Sequence, residues 1–215
     1  MTQPTSPEPE LRGRILDAAT RLFARQGYGS TSVRQVVEAV GCTKPMLYYY
    51  FGNKEELFLT AVQTHIAEFT GIIEEASRLE GTVASRLAWF IDRYLDQVLK
   101  NPLAMRLLMT AQHPTDAGQP QIDVMALHRF NGELLDGLMT EGATTGEIRA
   151  DIDPRDASLA FIGMVNFRIL NCLHQAQPPA DIALRILDVF LNGVKPRPVS
   201  SASPTGPAPA NGVPS

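Results

Sequence analysis

TSVRQVVEAVGCTKPMLYYYFGNK, residues 31–54, is the stretch on which the fold turns. Ser32 followed by Gln35 has the form of a capping box, in which the two side chains satisfy backbone N–H groups that the start of a helix leaves unpaired. It predicts a helix that runs to Val40 and stops at Gly41. Thr43 is placed to cap a second short helix through Tyr50, and Pro45 falls in its first turn, where a missing N–H does no harm. Two short helices around the turn Gly41-Cys42-Thr43 form the helix-turn-helix plan, whose second helix lies in the major groove of a DNA duplex. Leu47 and Phe51, four apart, face inward, with Lys44, Pro45, Tyr48 and Tyr49 on the other side. A lysine ammonium and tyrosine hydroxyls donate to phosphate oxygens, and first-turn side chains reach base edges. The plainer reading, that tyrosines cover the edge of the core, fails for three in succession, which cannot all lie on one helix face.

Upstream, Leu11, Ile15, Ala18, Ala19, Leu22 and Phe23 form one apolar stripe, Arg12, Arg14, Arg21 and Arg25 lie off it, and Gly27 ends the helix. Downstream, Asn53 and Glu56 give a box-like start to a long helix carrying Leu57, Ala61, Ile66, Phe69 and Ile73. Charge divides the chain in the same way. The whole carries −4, yet residues 11–54 carry seven basic and two acidic side chains. A basic front and an acidic rear imply an anion-binding head on a body that avoids anions, the alternative being a scatter of solvated charges.

Nine of the 16 prolines lie near the ends. Residues 1–9 and the tail from 194 to 215 hold too few large apolar side chains to offset the entropy of ordering, so both are expected to be disordered. Between them the reading is all-α, a head at 10–54 and a body at 55–193. Pro102, Pro114, Pro120, Pro154 and Pro178-Pro179 punctuate the body into helices of about 82–100, 102–113, 121–141, 154–175 and 180–192, nine helices in all. Cys42 and Cys172 make neither a disulfide framework nor a four-ligand metal site, and the longest apolar run, 159–165, is far below the roughly 18 residues of a membrane span. The expectation is a cytoplasmic protein with no membrane partner.

Residues 15–57 resemble the N-terminal domain of TetR-family transcriptional repressors. The resemblance is carried by Ala18, Leu22, Phe23, Gly27-Tyr28, Ser30-Thr31-Ser32-Val33, Val36, Gly41, Thr43, Leu47-Tyr48, Tyr50-Phe51 and Asn53-Lys54-Glu55-Glu56-Leu57. It implies that Arg34 reaches a base or phosphate, that Lys44, Pro45 and Met46 meet bases, and that Tyr48, Tyr49 and Lys54 hold phosphates, with Thr43 in the same DNA-binding set. Val37 and Cys42 depart from the commonest pattern in packing alone. Pro45 and Met46 depart at base-reading positions, so an operator sequence does not carry over from relatives. In the body, residues 146–154, Gly-Glu-Ile-Arg-Ala-Asp-Ile-Asp-Pro, look like the stretch these proteins often place before their eighth helix. There Asp153 is read as a cap, Pro154 as the first helical residue and Asp156 as a favourable charge at the N-terminus; a Ca²⁺ site at Asp151, Asp153 and Asp156 is the alternative.

Helices 154–175 and 180–192 are apolar nearly all round and must be buried on two sides. One side is the chain's own core, and a second copy on the other gives a homodimer with a four-helix interface. Gly163 fits a close crossing, either between copies or within one chain. His65, His113, His128 and His174 show no metal-ligand spacing and are read as partly exposed, and no catalytic motif or cofactor fingerprint is present. Phe69, Trp89, Met105, Met109, Met125, Phe130, Met164 and Phe167 suit either an adaptable cavity for an uncharged or weakly charged apolar effector or an ordinary core. Trp89 lies off the main stripe of its helix. The function this reading supports is a non-enzymatic, homodimeric repressor released from a palindromic operator by a small apolar molecule. The alternatives are an all-helical small-molecule-binding or catalytic protein, or a protein-binding adaptor, whose head does not bind DNA.

Overall fold

Prolines and glycines divide the chain into segments whose apolar residues recur every three or four positions, and each segment is a helix. The computed structural model describes residues 7–112, 118–172 and 181–193, without the side chains of 7–9 and 124–130. Among the described residues there are nine helices and no strand: α1 (Pro7–Ser30), α2 (Val33–Val40), α3 (Lys44–Phe51), α4 (Lys54–Arg78), α5 (Val83–Lys100), α6 (Pro102–Gln112), α7 (Val124–Thr145), α8 (Pro154–Cys172) and α9 (Ile182–Asn192). None of them is long and apolar enough to cross a membrane. Residues 1–6, the tail from 194, His113 and His174, and the expected helix ends at 113 and 175 lie outside the described residues. So do the side chains of Met125, His128 and Phe130.

The all-α expectation holds, with local differences. α1 begins at Pro7, earlier than expected; proline is tolerated in a first helical turn. Gly27, at φ 82° and ψ 171°, breaks α1 where the sequence places its end, and one further turn reaches Ser30. The Ser32–Gln35 capping box is complete, and Gly41 closes α2 in the left-handed conformation at φ 75°. Thr43 sits at the α3 N-cap in extended conformation, but its side chain makes no capping bond. Asn53 accepts from the Glu56 N–H at 2.8 Å, and its side-chain amide donates to the Glu56 carboxylate at 2.8 Å.

One continuous core runs from α1 to α9. In the head, Phe23 meets Phe58 edge-on with ring centroids 5.1 Å apart, and Tyr28 completes the cluster. α4 therefore closes the head with its first turns and enters the body with the rest, while α1 also packs on α6. Arg14 Nη2 donates to the Val40 carbonyl at 2.7 Å, satisfying a carbonyl at the end of α2.

His65 corrects the expectation of partial exposure: it is buried, with Nε2 3.1 Å from the Thr20 hydroxyl on α1 and Nδ1 3.0 Å from Glu68. Gln97 on α5 donates to the same Glu68 carboxylate at 3.0 Å, so polar contacts link α1, α4 and α5. Buried Arg86 donates to the carbonyls of Ala76 and Ser77 and grips Glu141 on α7 at 2.7 Å.

The 146–154 stretch also has a structural explanation. Glu147 accepts from the N–H groups of Val83 and Ala84, at 3.0 and 2.9 Å, and so caps α5 from a distant part of the chain. These bonds hold its carboxyl below the usual carboxylate range despite opposing desolvation. Ile148 lies against Gly142, where an added Cβ would come within 2.8 Å of its terminal methyl. Asp153 accepts from the Arg155 N–H at 2.8 Å, in keeping with a local capping role, and Asp151 is paired with Arg149. No group of three or more metal-ligating side chains lies together among the described residues.

Candidate nucleic-acid interface

The two buried residues of α3, Leu47 and Phe51, fix which side of this short helix turns outward. Thr43, Lys44, Pro45, Met46, Tyr48 and Tyr49 are exposed on that side, Tyr49 with 77% of its surface accessible. Tyr50, by contrast, is half-buried against the core, its ring 5.2 Å from that of Tyr49. Three consecutive tyrosines thus divide between packing and display, as helical geometry requires. Pro45, Met46, Tyr49 and Tyr50 enclose a shallow, mainly apolar pocket of about 310 Å³ on the helix surface.

Positive charge flanks this helix. Lys54 Nζ stands 4.1 Å from the centre of the Tyr28 ring, a cation–π geometry that holds the ammonium at the start of α4. Burial, helped by Glu55, pushes the Tyr28 phenol up and keeps it neutral beneath that charge. Gly52, at φ 66°, allows the chain to turn between α3 and α4, where a Cβ would collide with the Glu56 carboxylate. Arg34 is exposed on α2, opposite the buried Val36, Val37 and Val40. It is also paired: its Nε donates to Glu38 Oε1 at 2.6 Å.

Part of the basic excess serves the fold. Arg14 satisfies α2, and the Arg12 guanidinium lies 5.2 Å from the centre of the Phe51 ring. Cys42 in the turn is half-buried, and burial pushes its thiol up, so it remains a neutral packing group. Sequence reasoning missed the Glu38 partner of Arg34, although their spacing of four on a helix was the signal for it.

The proposed effector residues are less coherent. Phe69 and Met105 are buried, and Trp89, Met109 and Met164 are half-buried against the core. Phe69 packs edge-on against Tyr94, whose hydroxyl donates to Asn166 at 2.9 Å. Phe167 is corrected. It is 73% exposed on the outer face of α8, because a helix apolar on all sides gives no sign of which side meets its own core. Leu159 and Gly163, at four-residue spacing, share that outer stripe, and Leu184 and Val189 are exposed on α9. A Cβ on Gly163 would meet nothing within 4 Å, so its smallness answers no packing need within the chain.

An exposed short helix on a glycine turn, joined by one long helix to an all-helical body, has the helix-turn-helix plan. Residues 15–61 match the family described as bacterial regulatory proteins, tetR family. The fatty acid metabolism regulator protein of Bacillus subtilis (strain 168) is 24% identical over 184 residues, covering 84% of this chain and 94% of that protein. The crystal structure of the regulator FadR from Bacillus subtilis in complex with stearoyl-CoA superposes with a TM-score of 0.73 at 21% identity, over 85% of this chain and 99% of that one. AibR, solved with isovaleryl coenzyme A and operator DNA, gives 0.66 at 22% identity, over 84% and 98%. The family match thus covers the N-terminal helix-turn-helix, and over the rest of the chain the likeness to the solved regulators is one of fold.

Proposed function

We propose that this protein is a cytoplasmic, homodimeric repressor that binds a palindromic operator through two copies of α3 and leaves it when an acyl-CoA occupies the body. The observation that carries the reading is the pairing of two surfaces on one chain: the displayed face of α3 and the bare apolar stripe Leu159, Gly163 and Phe167. A stripe of this kind is explained by a two-fold partner, and two-fold symmetry sets two recognition helices at the spacing of successive major grooves. Arg34, Lys44, Pro45 and Met46 are the proposed base-reading set; Thr43, Tyr48, Tyr49 and Lys54 are the proposed phosphate-holding set.

The effector class is supported by the two similar regulators whose structures hold a coenzyme A thioester, an apolar acyl chain on a strongly anionic carrier in place of the weakly charged molecule expected from sequence. Phe69, Trp89, Met105, Met109 and Met164, buried or half-buried in the body, are the soft apolar side chains proposed to accommodate an acyl chain. Release needs preferential binding to a conformation whose half-site separation misfits the duplex; a ligand indifferent to the two conformations would leave DNA bound, however tightly it bound itself.

The experiment is selection of bound duplex from a random pool, followed by titration of the recovered complex with acyl-CoAs of increasing chain length. A palindrome whose complex dissociates with one range of chain lengths, together with a change in fluorescence of the single tryptophan, Trp89, is the expected result. At 100 times its dissociation constant that ligand should stabilise the protein by about 2.7 kcal/mol. A palindrome indifferent to every acyl-CoA would remove the effector class and leave the DNA-binding assignment standing.

A further inference from the structure

We infer that Glu38 is a positioning residue for base recognition: through Nε it holds the Arg34 guanidinium so that the two terminal amino groups form a fork for the edge of a guanine. The inference rests on the reading of α2 and α3 as a DNA interface. Arg34 and Glu38 stand one turn apart on the exposed face of α2, their side chains 76% and 58% accessible, joined at 2.6 Å. The bond uses Nε, the donor nearest the aliphatic stem, and leaves both Nη groups without a hydrogen-bond partner among the described residues. Those Nη groups are the donors that can meet the O6 and N7 acceptors of guanine side by side in the major groove.

Two arguments favour positioning over simple helix support. An exposed ion pair adds little to stability, since water screens it and two long side chains lose freedom in making it. At the same time Glu38 places a negative charge on the surface that must approach phosphates, which weakens every non-specific complex. Once Arg34 reads a base, the carboxylate pre-orders it for one base edge, so discrimination rises through that contact while repulsion of phosphates lowers affinity for every duplex alike.

The test compares the full chain with Glu38→Ala, Glu38→Gln, Arg34→Ala and the two double variants. Binding is measured on the selected palindrome and on a scrambled duplex across a salt series, with circular dichroism and thermal melting to confirm that every variant is folded. Glu38→Ala is expected to tighten binding to scrambled DNA and to lower the cognate-to-scrambled ratio roughly tenfold, within the range set by one bidentate base contact. Glu38→Gln, which keeps an acceptor for Nε, should retain most of the ratio. With Arg34 already replaced, neither change should move it. Repeating the selection with Glu38→Ala should lose guanine preference at the same half-site position that Arg34→Ala loses. A ratio unchanged in Glu38→Ala, or one that falls as far when Arg34 is absent, overturns the positioning role. Failure of the wild type to recover any palindrome defeats the DNA-binding reading itself and this inference with it.

Discussion

Replacing Gly163 with leucine separates the stability of one chain from the association of two. Within the chain the new side chain meets open space, since no atom lies within 4 Å of the added Cβ. Glycine in a helix interior is about 0.8–1 kcal/mol less favourable than alanine, so each α8 should become slightly more stable. At a close two-fold crossing the same side chain overpacks, at roughly 1–3 kcal/mol per copy and therefore about 2–6 kcal/mol per dimer. That corresponds to a dimer dissociation constant weakened between about 30-fold and 10⁴-fold. Sedimentation equilibrium over a wide concentration range reads the association, and thermal melting at concentrations where the variant is monomeric reads the fold. Opposite signs in the two measurements are the signature. A dissociation constant that stays put or tightens would place the interface away from the Leu159–Gly163–Phe167 stripe.

Gly142→Ala should cost about 1–3 kcal/mol, because its Cβ would press on the Ile148 side chain at 2.8 Å, and Ile148→Ala should recover part of the loss in denaturant unfolding. The folded pKa of Glu147 lies below its unfolded value, so its contribution to stability is present above the unfolded pKa of about 4.5 and disappears as pH falls through the folded one. Glu147→Gln should accordingly flatten the acid limb of a plot of melting temperature against pH, and an unaltered limb would mean that the α5 cap contributes nothing there. Lys54→Ala should weaken operator and scrambled DNA alike and reduce the slope of log affinity against log salt by about one, whereas an effect confined to the operator would move Lys54 from phosphate to base contact.

The head was legible because its determinants are local. Ser32 reaches Gln35, Asn53 reaches Glu56, and Leu47 with Phe51 defines the inside of α3, all within one turn. The nine helices of the described residues followed from proline, glycine and apolar spacing for the same reason. What stayed hidden depends on chain crossings. Glu147 caps a helix 63 residues away, Arg14 serves a carbonyl 26 residues away, and buried His65 meets a hydroxyl 45 residues away. Phe167 shows the limit in its simplest form. Its helix is apolar on both sides, so composition announces two buried faces without saying which of them meets the chain's own core.

The Thr20–His65 contact makes the junction between head and body a keyed joint. Where only methyl and phenyl groups meet, two helices can creep past each other in small steps, each contact replaced by a similar one. A buried imidazole pinned by a hydroxyl from α1 and a carboxylate on its own helix offers no such intermediate stops, since a small displacement strands a polar atom in the interior. The joint therefore favours rigid coupling of α1 to the first half of α4 over sliding between them.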